Sequence, residues 1–238
     1  MLELNTFSIV ARCERSGELG VAVASAVPAV GSMCPYLEAG VGAVSTQSWV
    51  NPYLAFGVLQ SLRTGIGARQ ALDAVLADDA DAALRQIGVI GTTGPGEAWT
   101  GAGCTAWQGQ IVGADFAIQG NMLAGEATLQ AMHAAWQRDP AADLAERLMA
   151  ALEAGDAAGG DFRGKQSAAL KIVGDEAYAS VDLRVDEHID PVTELRRVLG
   201  VARVQLLPFV SGMPRRRGVP HALPEAVTRM LLRPPAQR

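Results

Sequence analysis

An α+β fold, a four-layer αββα sandwich with two packed and largely antiparallel sheets, is predicted by three observations. The elements read in the order strands, helix pair, strands, helix pair, strands, whereas a parallel βαβ sheet would alternate strand and helix regularly. The run Leu19-Gly20-Val21-Ala22-Val23-Ala24 is almost continuously apolar, so its strand must be covered on both faces. Aromatic residues make up only 5% of a chain that is 49% apolar, so the core is filled by small side chains in closely approaching layers.

Residues 6–13 and 18–27 form a hairpin turned at Arg15-Ser16-Gly17-Glu18, with glycine as the turn residue. Residues 40–48 make the next strand, ending in the polar trio Thr46-Gln47-Ser48 before Asn51-Pro52. Helices are expected at 53–64 and 67–78, with Gly65 as the stop between them. A second hairpin, 86–91 and 97–100, turns around Thr93-Gly94-Pro95-Gly96, and strands near 105–112 and 114–119 end at Gly120-Asn121. Helices at 125–138 and 141–154, parted at Asp139-Pro140, form the other outer layer, with Leu144, Leu148, Ala151 and Leu152 as a stripe. Strands near 166–173 and 177–185 and a helix from about Pro191 complete a domain over residues 1–200. Residues 201–238 are a C-terminal extension with a short helix near 224–232, packing on the body or on a partner.

The chain of 238 residues carries net charge −5, yet residues 214–238 hold six arginines against Glu225 alone. An acidic body with a basic tail disfavours nucleic-acid binding, which needs cations clustered on a folded surface. Arg215-Arg216-Arg217 is read as a solvated linker. Cys13, Cys34 and Cys104 form no CxxC pair, so reduced thiols are expected rather than a zinc or dithiol site. Met1-Leu2-Glu3 lacks a basic start and no apolar stretch nears the ~20 residues that cross a bilayer. A cytoplasmic protein without membrane contact is expected. No Walker-type loop and no GxGxxG from strand into helix is present, so no nucleotide cofactor is expected. Asp182, Arg184, Asp186 and His188 share a strand face by alternation; a solvated face of mixed charge is the reading there, and no metal or other cofactor is assigned.

The residue pattern that carries chemistry begins at Thr6, at the head of the apolar run Thr6-Phe7-Ser8-Ile9-Val10-Ala11. If residues 1–5 were removed, the α-amine of Thr6 would stand beside its own hydroxyl and serve as its general base, without a histidine. Asn121, after a strand, is a candidate oxyanion donor. Thr46, Gln47 and Asn51 are neutral polar groups at another strand end. The stretch Gly159-Gly160-Asp161-Phe162-Arg163-Gly164-Lys165-Gln166-Ser167 crowds polar groups at the mouth of a core strand, where Arg163 can grip a carboxylate in two-pronged fashion. A surface ion pair in a tight turn is the alternative there.

TFSIVAR at 6–12, GELGVAVAS at 17–25, GVGAVSTQ at 40–47 with Asn51-Pro52, RQIGV at 85–89, TGAGC at 100–104, QGNMLAG at 119–125, GGDFRGKQSAAL at 159–170 and VDLRVDEH at 181–188 together resemble the domain-of-unknown-function 1028 family, grouped with N-terminal-nucleophile hydrolases. The resemblance spans about residues 6–200 and implies an αββα sandwich that hydrolyses an amide bond of a small molecule. Members commonly begin Met-Thr-Phe-Ser; here Leu2 to Asn5 intervene, so a free Thr6 requires scission of Asn5–Thr6. Lys or His often follows the serine of the second strand, where this chain has Ala26.

The expected function is hydrolysis of C–N bonds in a small polar metabolite, with Thr6 and Asn121 as catalytic groups. Thr46, Gln47, Asn51, Asp161, Arg163, Gln166 and Ser167 are the expected substrate-binding residues, with Gln166 and Ser167 ordering their loop. The rival readings are an unprocessed binding or assembly protein of the same fold, and a thiol hydrolase using Cys34 or Cys104. A homodimer or higher homo-oligomer is expected, because Val204-Gln205-Leu206-Leu207-Pro208-Phe209-Val210 needs cover.

Overall fold

A computed structural model describes residues 3–4, 6–216 and 224–234; Asn5 and Arg217, to which roles were assigned above, lie outside them. Strand β1 (Glu3–Leu4) is followed by the hairpin β2 (Thr6–Arg12) and β3 (Leu19–Ser25), then β4 (Pro35–Glu38) and β5 (Gly42–Trp49). Helices α1 (Pro52–Arg63) and α2 (Ala68–Ala77) lead to β6 (Arg85–Gly91), β7 (Glu97–Thr100), β8 (Gly109–Val112) and β9 (Phe116–Gly120). Helices α3 (Ala127–Arg138) and α4 (Leu144–Ala157), the hairpin β10 (Ser167–Val173) and β11 (Ala179–Val185), and α5 (Pro191–Gln205), α6 (Leu207–Ser211) and α7 (Glu225–Leu231) follow.

The predicted αββα sandwich is present, and all the strand pairings are antiparallel. One sheet runs β1-β5-β6-β7, with β4 also on β5; the other runs β11-β10-β3-β2-β9-β8. Alternation along β2 sends Phe7, Ile9 and Ala11 to the helical side, against Met132, Trp136 and Leu148 of α3 and α4, while Val10 faces the first sheet with Val21, Ala43, Ile90 and Ala117. Each large side chain fully buried in these layers contributes about 1.5–3 kcal/mol. Both faces of β3 are thus covered, as its apolar run requires: all seven of its residues are buried. Helices α1 and α2 cover the outer face of the first sheet through Leu54, Val58 and Leu72 on Val44, Ile87 and Val89. Leu195 and Leu199 of α5 join the α3/α4 side, and Val204 and Phe209 beyond them stay 61% and 39% exposed.

Three of the departures from the expected elements have a local physical reason. β4 was not foreseen, because four residues led by proline show no readable alternation. The strand expected over 105–112 is confined to Gly109–Val112: Gly101 and Gly103 dock on the backbone of Ala83, which holds the preceding residues as a loop. α4 starts at Leu144 rather than at 141, because Asp143 caps it by accepting the Glu146 N–H at 2.8 Å. Among the described residues, no helix is long and apolar enough to cross a membrane.

Two close approaches set the geometry of the first sheet. At Gly88 of β6 an added Cβ would lie 2.1 Å from Oε1 and 2.5 Å from Cδ of Gln119 on the facing sheet. Gln119 cannot retreat, since its Nε2 is held by Ser8 Oγ at 2.6 Å. At the start of β6, Arg85 donates to Asp79 Oδ2 at 2.7 Å and to the Trp49 carbonyl at 2.7 Å, with the two charged side chains only 7% and 9% exposed. The Arg85 hydrogen bonds outweigh burial and hold the Asp79 carboxyl below its ordinary range. A depressed carboxylate stabilises the fold above its unfolded value, near pH 4, and that contribution disappears as pH falls through the folded value.

Gly88→Ala is therefore expected to lose about 1–3 kcal/mol of unfolding free energy in a urea titration. Asp79→Asn, which leaves Arg85 to the half-exposed Asp81 and the Trp49 carbonyl, is expected to lose about 1–3 kcal/mol at pH 7. The gap between that variant and the wild type should narrow as the titrations are repeated below about pH 4.

Candidate active site

Thr6 lies where several strands end together on the inter-sheet face. Antiparallel register sets Thr6 opposite Ser25, and Ser25 opposite Ser167. On the other side Phe7 pairs with Gly120, which puts Asn121 opposite Thr6, and the Asn121 N–H donates to the Thr6 carbonyl at 3.1 Å. Alternation then brings Thr6, Ser8, Ser25, Gln119 and Asn121 to the same face. The opposing sheet supplies Ser45 and Gln47 from β5 and Gln86 from β6. All eight side chains are completely buried and none carries a formal charge.

The hydrogen bonds among them run in one direction. Gln86 Nε2 donates to the backbone carbonyls of Gly120 at 2.8 Å and Gly109 at 3.3 Å, and to Thr100 Oγ1 at 2.9 Å. Carbonyls only accept, so this amide has one permitted orientation. Gln86 Oε1 consequently accepts from Gln47 Nε2 at 2.8 Å and from Asn121 Nδ2 at 2.9 Å. Gln47 Nε2 also reaches the Thr6 carbonyl at 3.2 Å. Ser8 Oγ gives its proton to Gln47 Oε1 at 2.6 Å and so must accept from Gln119 Nε2. Thr6 Oγ1 contacts Ser25 Oγ at 3.3 Å.

Residues 3 and 4 belong to the opposite sheet from Thr6. Glu3 and Leu4 pair with Trp49 and Ser48 of β5 in the first sheet, whereas Thr6 opens β2 in the second. Leu4 is therefore in one sheet and Thr6 in the other. On β5 Leu4 meets Ser48, a non-glycine residue at φ 64°.

The remaining predicted residues fall into two groups. The loop bearing Asp161 and Arg163 adjoins the Asn121 turn: Leu123 bridges Asp161, and the Phe162 N–H donates to the Met122 carbonyl at 3.1 Å. Asp161, 4% exposed, accepts from the Arg163 N–H at 2.9 Å and Nη2 at 3.0 Å, so the guanidinium and carboxylate engage each other. Gln166 fastens this loop through backbone bonds to Ser25 and His188. Ser167 Oγ donates to the Val27 carbonyl at 2.6 Å and accepts the Val30 N–H at 3.0 Å, which ties down the loop after β3. Thr46 and Asn51, in contrast, are not brought to Thr6. Thr46 lies between the inward Ser45 and Gln47, so alternation turns it to the helical side. Asn51 caps α1 by accepting the Tyr53 N–H at 3.1 Å and donates to Asp79 at 3.3 Å.

Ser8, Gln86 and Gln119 were missed by sequence reasoning. The available signal was a neutral polar residue at an inward position of a strand otherwise apolar on that face. A cavity of about 400 Å³ opens at the far end of the second sheet, lined by Glu18, Ile172, Tyr178 and Leu207 among others. It contains no member of the Thr6 network. Asp186 pairs with Arg184 and Asp182 with Lys171.

Cys34 is poorly suited to nucleophilic work. All three cysteines are buried and free, and burial pushes the Cys34 thiol up to about 12, which suppresses its thiolate at neutral pH. Iodoacetamide at pH 7.5 should leave Cys34 unmodified in the native protein and alkylate it after denaturation; native labelling at Cys34 would revive a thiol mechanism.

No curated protein sequence matches the chain. Among solved structures, it is similar to protein SPO2555 from Silicibacter pomeroyi, with 29% identity, a TM-score of 0.80, and 89% of this chain and 95% of that one covered. Lower similarity is found to Anbu (ancestral beta-subunit) from Yersinia bercovieri, at 13% identity and TM-score 0.42 over 89% of this chain and 100% of that one. An Anbu mutant from Hyphomicrobium sp. strain MC1 gives 14% identity and TM-score 0.39 over 88% and 99%. The profile of a family of unknown function, DUF1028, matches residues 6–195, and the chain belongs to that family.

Proposed function

We propose that this protein is an N-terminal-nucleophile amidohydrolase that cleaves a C–N bond of a small polar metabolite, with Thr6 as nucleophile after scission of Asn5–Thr6. The observation that carries the proposal is the position of Thr6. It is a strand-leading hydroxyl, buried among neutral hydrogen-bonding groups, while Leu4 lies in the opposite sheet. Scission follows from attack of Thr6 Oγ1 on the Asn5 carbonyl carbon: an ester forms as the C–N bond breaks, the Oγ1 proton passes to the departing nitrogen and frees the α-amine, and water then hydrolyses the ester to restore the Thr6 hydroxyl and release residues 1–5. In turnover that amine takes the proton of Oγ1 as the hydroxyl adds to the substrate carbonyl, then delivers it to the leaving nitrogen. Water hydrolyses the resulting acyl-threonine. Asn121 Nδ2 has one hydrogen committed to Gln86; the other is available to the developing oxyanion. The adjoining Asp161–Arg163 loop is the proposed rim for the polar part of the substrate.

A second reading, an unprocessed protein that binds a metabolite without turning it over, is favoured by the complete burial of Thr6 while residues 3–4 pair with β5. The intact mass and N-terminal sequence of purified protein separate the two. Processing predicts a chain that begins at Thr6, and a Thr6→Ala variant that keeps residues 1–5. Wild-type protein that keeps residues 1–5, or loses Met1 alone, contradicts the hydrolase and supports the binding protein.

A further inference from the structure

Two buried amide oxygens of the inter-sheet network, Gln119 Oε1 and Asn121 Oδ1, have no hydrogen-bond partner among the described residues. Neither can be a misassigned donor, because the direction of the network is imposed by the carbonyls of Gly109 and Gly120 through Gln86. An unmet buried acceptor costs about 1–3 kcal/mol, so each requires an account. Gln119 Oε1 fills the space left by the missing Cβ of Gly88, and nothing larger than hydrogen fits between them. Asn121 Oδ1 has no such explanation in the folded chain.

Asn121 is the residue opposite Thr6, on the same face. Its Nδ2 is held by Gln86 Oε1 at 2.9 Å, and exchanging its two ends would set oxygen against oxygen. Oδ1 therefore calls for an N–H or O–H donor. Scission of Asn5–Thr6 creates one on the paired residue, the α-amine of Thr6.

We propose that Asn121 positions this α-amine: Oδ1 accepts one of its N–H bonds, which fixes the nitrogen and leaves its lone pair for the proton of Thr6 Oγ1. The proposal rests on the processed-threonine reading. It gives the buried acceptor a partner and explains why the amide of Asn121 is anchored from behind by Gln86. The groups facing Thr6 from β3, β5 and β6 are the neutral Ser25, Gln47 and Gln86. Asp161 and Arg163 on the adjoining loop pair with each other, Lys165 pairs with Asp156 and Asp190, and Arg85 with Asp79 lies on the outer side of the first sheet. Asn121 is thus the group placed to tune the amine, and as an acceptor it favours the protonated form.

The test uses the chain expressed to begin Met-Thr6, where removal of the initiator methionine exposes the α-amine whether or not the longer chain processes itself. Competitive acetylation of Thr6, followed by mass across pH, reads the midpoint at which the amine loses its proton. Asn121→Ala should lower that midpoint by about one pH unit, a tenfold change in the protonated fraction, and Asn121→Asp should raise it by about one unit or more. Thermal melts verify that each variant is folded; if Asn121→Ala does not fold, Asn121→Ser and Asn121→Asp decide. Midpoints that stay at the wild-type value in folded variants overturn the role of Asn121. That outcome is distinct from a full-length chain that never loses residues 1–5, which overturns the hydrolase reading itself.

Discussion

The hydrogen bonds from Gln86 Nε2 to the carbonyls of Gly120 and Gly109 are the constraint from which the rest of the site follows. They join the two sheets where apolar contact gives way to polar side chains, and they permit one orientation of the Gln86 amide. From that orientation come the orientations of Gln47 and Asn121, then of Ser8 and finally of Gln119. A network of neutral amides is stable in such a place only when nearly every donor and acceptor is paired. All five inter-sheet residues that build it meet this condition at their donor ends through bonds of 2.6–2.9 Å.

The same network explains how a sandwich of small residues holds its layers together at this end. Farther along the strands, Val10, Val21, Ala43 and Ile90 interlock as ordinary core. Near Thr6 the two sheets are held by amide bridges, and Gly88 lets one of them lie flat against its backbone. Neutral, fully buried surroundings suit the amine proposed for Thr6. On the proposed reading, burial disfavours the charged form of that amine while the fixed acceptor of Asn121 favours it. Charged groups are kept elsewhere: Arg85 and Asp79 on the outer side of the first sheet, Asp161 and Arg163 at the rim.

Much of the fold was legible in the sequence because hydrophobic runs and turn glycines are local signals. The β2–β3 hairpin, β5, β6 and the first helix pair stand close to where the patterns place them, and the second pair is present with α4 starting three residues late. β4 was invisible for lack of alternation, and the loop before β8 was misread as strand because its docking on Ala83 is a tertiary fact. Of the residues singled out in the sequence, Thr6, Gln47 and Asn121 come together in the inter-sheet network. Thr46 and Asn51 were grouped with Gln47 by proximity in sequence, although period-two geometry separates neighbours to opposite faces. Ser8, Gln86 and Gln119 were passed over although each interrupts the apolar side of its strand, because that signal says only that a polar group is buried and not which facing amide it meets.

The central claim is that the inter-sheet amides form one closed, directional network. Hydrogen exchange of the side-chain carboxamide protons, followed by NMR, tests it most directly. The account predicts that the Nε2 protons of Gln47, Gln86 and Gln119 and the Gln86-bound Nδ2 proton of Asn121 exchange only with the opening that exposes the β2–β9 backbone. Exchange of these protons at the rate of surface glutamines, while the β2–β9 backbone stays protected, would contradict it.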